Sequence, residues 1–319
     1  MSMNFPFPVQ QELTAIALAY RNEAYIADLV LPRVPVPGRE FKWLQMTRED
    51  FFTVPETQVG RKGVPNEVQF SGTEVASFVN DYGLDDLVPV EDQMSAPAGY
   101  DPEGRATEGV AELVALDRER RTANLLTTLG TYPTANRVTL SGTGQWSDFA
   151  NSDPYTAIMT AFDGMLMRPN VGIFNQRVWT RLRTHPRITA ALAPSSQGNT
   201  PTGTATGRPA TAQSVAELLE LDAIYIGRAW VNTARPGQTP VLARAWGNHA
   251  MFLHQNPAAN IRGNAITFGY TAEWGTRVAG SIPEPKVGLR GASRVRVGES
   301  VREIVAANDC GYLFRDAVA

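Results

Sequence analysis

Residues 101–129 read DPEGRATEGVAELVALDRERRTANLLTTL. They carry the clearest helix signal in the chain. Asp101 can accept a free backbone N–H at the helix start, Pro102 fits the first turn, and Glu103 favours the positive end of the dipole. Val110, Leu113, Leu116, Ala123 and Leu126 recur at helical spacing and predict one apolar face. Arg118, Arg120 and Arg121 fall in the later half, and Asp117 to Arg121 is an i,i+4 ion pair. Gly130 marks the expected stop. At ~1.5 Å per residue this helix is long enough to serve as a spine.

Immediately upstream, residues 82–92 read YGLDDLVPVED, with Asp85, Asp86, Glu91 and Asp92 within eleven residues. A calcium loop needs acids at alternating positions around a central glycine, and Leu87, Val88 and Val90 break that pattern. A general acid–base pair needs a pocket, and an extended stretch ending at Pro89 promises none. The stretch reads as an acidic flank facing solvent or a partner.

Residues 39–80 read as a long β-hairpin. Phe41 and Trp43 alternate with polar neighbours on the outgoing limb, and Val68 and Phe70 mark the return. Between them TVPETQVGRKGVPNE forms a long polar tip carrying Arg61 and Lys62. Two strands bury too little surface to stand alone, so the ribbon needs another surface. Residues 1–38 combine a helical pattern over 11–30 with prolines at 32, 35 and 37, which favour an extended arm.

Downstream the pattern alternates. NRVTLSG, NVGIFN, AIYIGRAWVN, HAMFLHQN and AITFGYTAEW read as strands; DPYTAIMTAFDGML, QRVWTRLRTH and TAQSVAELLELD read as helices; SRVRVGESVREIVAANDCGYLFRDAV closes the chain with antiparallel strands. This is an α+β pattern. Residues 194–211, rich in Gly, Pro, Ser and Thr, predict a mobile surface loop. SGTGQW at 141–146 lacks the third glycine of a dinucleotide loop and reads as a turn.

Charge is uneven. Residues 1–100 hold 14 acids and 7 bases, a net of −7, while residues 151–319 hold 11 acids and 17 bases, a net of +6. That asymmetry suits a chain packing front on rear against its own copies. The overall net charge of −3 gives no global field for nucleic acid. Only Lys42, Lys62 and Lys286 among 29 basic residues are lysines, a composition that suits bidentate polar interfaces and that a GC-rich genome would equally produce. The single cysteine, Cys310, allows no internal disulfide and reads as a buried thiol. No window approaches a membrane span. His185, His249 and His254 lack metal-motif spacing. No phosphate loop or nucleophile elbow occurs. Catalytic residues, metals and cofactors are therefore expected to be none.

The order of these parts resembles the major capsid proteins of tailed bacteriophages with the Hong Kong 97-type fold. VGRKGVPNEVQF, TEVASFVNDYGLDDLVPVED, SGTGQWSDFANSDP, PNVGIFNQRVWTRLRTHPRI and AWGNHAMF resemble landmarks of that family. The resemblance covers nearly the whole chain. It implies an N-terminal arm (1–38), an E-loop hairpin (39–80), a peripheral domain (81–150) with its spine helix (101–129), an axial α/β domain (151–285) and returning C-terminal strands (286–319).

It also implies a non-enzymatic subunit of the virion shell, made in a bacterial cytoplasm and assembling into pentamers and hexamers. Implied partners are a separate scaffolding protein, since the arm begins almost at Met1, a portal, a decoration or minor capsid protein, and double-stranded DNA held without sequence specificity; no membrane is involved. Covalent cross-linking through Lys62 is not expected. Contacts between subunits are expected at Phe41, Trp43, Arg61, Lys62, Phe70, Asp85, Asp86, Arg118, Arg120 and Arg121, and Asp85 or Asp86 is expected to pair with an arginine, within the subunit or across a contact. Arg290, Arg294 and Arg296 are candidates for facing the genome. The rivals are an encapsulin-like cellular shell of the same fold and a soluble enzyme using Asp85 and Asp86.

Overall fold

A computed structural model describes residues 9–19, 22–46, 54–67, 72–192, 209–258 and 265–319. Helix α1 (Gln11–Ala19) and the single turn α2 (Ala27–Val30) replace the one helical run expected over 11–30. Leu13 and Ala17 of α1 bury against Val110, Ala111, Ala279 and Val297. Arg277 closes the helix by donating to the Ala17 carbonyl at 3.0 Å. The proline-bearing arm is extended as expected, and strand β1 (Arg33–Pro35) pairs in parallel with β11 (Gly269–Glu273).

Strands β2 (Glu40–Met46) and β3 (Gly72–Phe78) form the hairpin, with Phe41 opposite Ser77 and Trp43 opposite Val75. Val79 separates it from β4 (Asn80–Pro89) and the short helix α3 (Val90–Met94). The spine, α4, runs Pro102–Thr127, about 39 Å at ~1.5 Å per residue. Asp101 caps it, accepting the Glu103 N–H at 3.1 Å. It stops before Gly130, through hydroxyls rather than glycine. The Thr131 and Tyr132 side chains donate to the carbonyls of Leu125 (2.6 Å) and Leu126 (2.9 Å), which the helix leaves free. The apolar face also differs from expectation: Val110, Ala123 and Leu126 are buried, but Leu113 is 53% exposed.

The first sheet is built on β13 (Ala292–Val305). It pairs antiparallel with β4 on one side and with β11 and β12 (Val278–Glu284) on the other. The spine packs across β4 and β13. The boundary expected at residue 285 therefore falls inside this sheet, because β11 and β12 bond to β13.

The second sheet has the order β5 (Arg137–Thr139), β14 (Gly311–Arg315), β10 (Ala250–Leu253), β6 (Val171–Asn175), β7 (Ala223–Gly227). Every residue of β6 and β10 is buried, as befits strands covered on both faces. One face packs Ile158 and Phe162 of α5 (Pro154–Asp163), Trp179 of α6 (Gln176–Arg183), Ile188 of α7 (Pro186–Leu192) and Val215 of α8 (Ala212–Leu218). The other meets Ala123 and Leu126 of the spine, with Cys310 buried between. The run expected as one strand over AIYIGRAWVN divides into β7 and β8 (Trp230–Asn232), which pairs with β9 (Leu242–Arg244). Most of the predicted 194–211 loop lies outside the described residues; Ala210, at its end, is buried.

Candidate functional site

The acidic strand meets arginines within its own chain. Asp85 lies opposite Arg296 in the β4–β13 ladder. Arg296 donates to both its oxygens, at 2.7 and 2.6 Å, and Arg294 stands 3.6 Å away. Hydrogen bonding from Arg296 holds the Asp85 carboxyl below its ordinary value, reinforced by charge from both arginines. Arg294 also pairs with Glu284 at 3.3 Å, and Arg290 reaches Glu91 at 3.5 Å. Asp86 occupies the opposite face of the strand. It accepts only the Leu87 N–H at 2.9 Å and has no basic partner among the described residues. Two carboxylates facing opposite ways cannot share a proton, which removes the arrangement an enzyme built on Asp85 and Asp86 would need.

Arg118 is corrected from a surface contact to the interior. It is 2% exposed, pairs with Asp28, and donates to Thr271 Oγ1 at 3.1 Å. Beside it Arg33 pairs with Asp28 (2.8 Å), Glu273 (2.6 Å) and Glu299 (2.8 Å), and Arg277 reaches Glu299 at 3.3 Å. Burial would raise the Glu299 carboxyl, but Arg33, Arg277 and Arg118 outweigh it and bring it below its ordinary value. Arg121 is likewise engaged internally, by Asp117, by Glu303 at 3.0 Å, and by the ring of Tyr82 with its guanidinium 3.5 Å from the centroid. Arg120 is exposed and reaches Asp117 at 3.1 Å.

Phe41 and Trp43 are also corrected. Both bury in the subunit's own cluster with Val34, Val36, Val79, Tyr270, Ala272 and Ile304, which anchors the hairpin base. Phe70 lies outside the described residues. Arg61 and Lys62 sit exposed in a turn closed by Gly63 N–H donating to the Gly60 carbonyl at 2.8 Å. Val54 and Val64 of the tip are 88% and 87% exposed.

Glu119, the residue sequence reasoning missed, sits fully buried on the spine. It accepts the Trp246 indole N–H at 2.6 Å, the Ile26 N–H at 3.0 Å and the Ala27 N–H at 2.7 Å. Burial pushes its carboxyl above the ordinary glutamate value despite these donors. The legible signal was its place on the spine's stripe, between Leu116 and Ala123.

The three histidines are dispersed. His185 bonds Ser152 Oγ at 3.0 Å, His249 accepts the Asp316 N–H at 3.0 Å, and His254 lies 3.0 Å from the Arg168 carbonyl. Among the described residues no three potential ligands gather into a metal site.

No family model matches the chain. The chain is 50% identical over 318 residues to the "Major capsid protein" of Pseudomonas phage JBD67, covering 99% of each. In structure it resembles a phage-related protein of Bordetella bronchiseptica RB50, with a TM-score of 0.72, 21% identity and 98% of each chain covered. It also resembles the putative capsid protein of a prophage of E. coli CFT073, with a TM-score of 0.56, 12% identity and 98% and 99% covered.

Proposed function

The chain belongs to the phage major capsid proteins and has their Hong Kong 97-type fold, and on that footing we propose that it is the structural subunit of a phage head shell, with no catalytic step. The observation that carries this reading is that the match runs the whole length of the chain, hairpin and arm included. A cellular shell of the same fold shares the architecture, and the full-length match to a phage protein favours the head.

In this reading the first sheet with the spine is the peripheral domain, and the second sheet with its helices is the axial domain. Subunits meet through unlike edges that close into pentamers and hexamers. Arg61, Lys62, Asp86 and Arg120 remain as contacts between copies, since each is exposed and only Arg120 has an ion-pair partner among the described residues. Arg290 is the most exposed of the three candidates for facing packaged DNA, because Arg294 and Arg296 are more deeply held by carboxylates. A separate scaffolding protein, a portal and a decoration protein complete the proposed partners.

Size-exclusion chromatography with light scattering, then electron microscopy of the heaviest fraction, tests the reading. Shells, pentamers, hexamers or curved sheets are expected. A monomer that persists with a co-expressed scaffold overturns it.

A further inference from the structure

The second sheet ends in a basic groove with no role inside the subunit. Strands β6 and β7 run in parallel and finish at Asn175 and Gly227. Past their carboxyl ends, where α/β sheets bind ligands, a groove of about 1000 Å³ lies between α6, the β8–β9 hairpin and the 247–249 corner. Arg177, Arg181 and Arg244 line it, and none has a carboxylate partner among the described residues. Arg244 is held in place, 3.9 Å over the Trp230 ring and donating to the Arg228 carbonyl at 3.0 Å. The one carboxylate of the lining, Asp316, lies 3.7 Å from His249 Nδ1 and 3.8 Å from Arg315 Nε.

This arrangement works against the free subunit. Arg177 stands in the first turn of α6, a cation at the positive end of the dipole. Arg181 follows at i+4, where like charges repel. In the first sheet, by contrast, Arg33, Arg121, Arg294 and Arg296 all meet carboxylates. An anion in the groove offsets both costs. One neutral donor joins the cations. His249 Nδ1 accepts the Asp316 N–H at 3.0 Å, so the ring carries its proton on Nε2. That nitrogen has no partner among the described residues. A Cβ at Gly247 would fall 2.7 Å from it, and the glycine leaves the space beside it open.

We propose that this groove binds the phosphodiester backbone of nucleic acid. Arg177 and Arg181 stand one turn apart, about 6 Å along α6, so each takes its own phosphate on one strand, with the bidentate fit that guanidinium gives. Arg244 and the His249 Nε2–H complete the cradle. Contacts to phosphate alone carry no sequence preference. A strand supplies a phosphate to each cation in series, which an acidic peptide pairing with them singly does not. The proposal rests on the shell reading, in which the enclosed polymer is double-stranded DNA, and adds a place of contact besides Arg290.

Fluorescence anisotropy tests it, with a labelled mixed-sequence duplex of about 30 base pairs and full-length subunits at about 50 to 200 mM salt. Arg177→Gln with Arg181→Gln should weaken binding about tenfold at the lower salt and reduce the slope of log affinity against log salt by about 2. The urea midpoint of that variant should hold or rise, which separates lost binding from lost folding. Arg187→Gln with Arg235→Gln removes as much charge from exposed positions outside the groove and should move the slope by less than half as much. A groove variant that binds like the wild type overturns the proposal, as does a wild type weaker than about 100 μM at the lower salt. A groove variant that loses shell yield with its duplex affinity unchanged assigns the groove to a neighbouring copy and overturns it as well. Displacement of the duplex by about 10 mM inorganic phosphate at constant ionic strength assigns it to a free phosphate, with the same consequence. None of these results touches the shell reading, which falls only if the wild-type chain never assembles, an outcome read separately from the duplex titration.

Discussion

The carboxylate of Glu119 accepts the indole N–H of Trp246 at 2.6 Å, and on its other side holds the backbone N–H groups that open α2. Ile26, at the N-cap of that turn, has no side chain able to do so. One buried side chain of the spine thus caps a turn of the arm and fastens the second sheet's 245–247 corner.

Glu119→Ala should destabilise the subunit by about 3–5 kcal/mol, because three buried donors lose their acceptor together. Urea unfolding followed by tryptophan fluorescence measures this. An effect below about 1 kcal/mol would mean that water replaces the carboxylate.

Arg118 and Arg120 should differ sharply although they lie two residues apart. Arg118→Ala removes a buried guanidinium and should cost about 3 kcal/mol or more. Arg120→Ala removes an exposed i,i+3 partner of Asp117 and should change stability by less than about 0.5 kcal/mol. The two urea midpoints decide it.

Acid should act through opposing groups. Glu299 and Asp85 have folded values below their unfolded ones, so the unfolded chain takes up their protons first as pH falls. Their stabilisation is complete above the ordinary carboxyl range of about 4 and is lost as pH falls through the depressed values. Glu119 has the reverse sign. Its raised value makes the folded chain bind the proton first, so stability rises as pH falls from the raised value towards the ordinary one. Glu299→Gln should flatten the acid limb below about pH 4, and Glu119→Gln should remove the opposite slope above it. Urea midpoints taken across pH 3–7 test both.

Trypsin should cut free subunits after Arg61 and Lys62, which stand exposed on the tip. In assembled shells those bonds should resist cleavage. Mass spectrometry of the fragments reports both states, and equal cutting in both would leave the tip unburied by assembly.

Local chemistry made much of this fold legible. The cap at Asp101, the prolines of the arm and the alternation at Phe41 and Trp43 each act over a few residues, and each predicted its element. The destination of a side chain was less legible. Arg118, Arg120 and Arg121 look alike in sequence, yet only the approach of Asp28, Thr271 and Glu303 from distant segments separates buried from exposed. Asp85 or Asp86 was expected to find an arginine; Asp85 does, and its partner lies 211 residues away, set by the β4–β13 register. Leu113 fits the helical period and is still exposed, along the groove between the spine and β4.

Strand β13 bonds to β4, β11 and β12, yet it begins only at Ala292. A ribosome that has made the arm, hairpin and spine has not yet made the strand that joins them. At roughly 5–20 residues per second, the 165 residues from the end of the spine to the start of β13 keep these segments waiting about 8–33 s. A chain cut short before residue 292 has no ladder for β4 and leaves the acidic edge unpaired. Completing the sheet therefore doubles as a check on length: only a chain carried through β13 closes the first sheet.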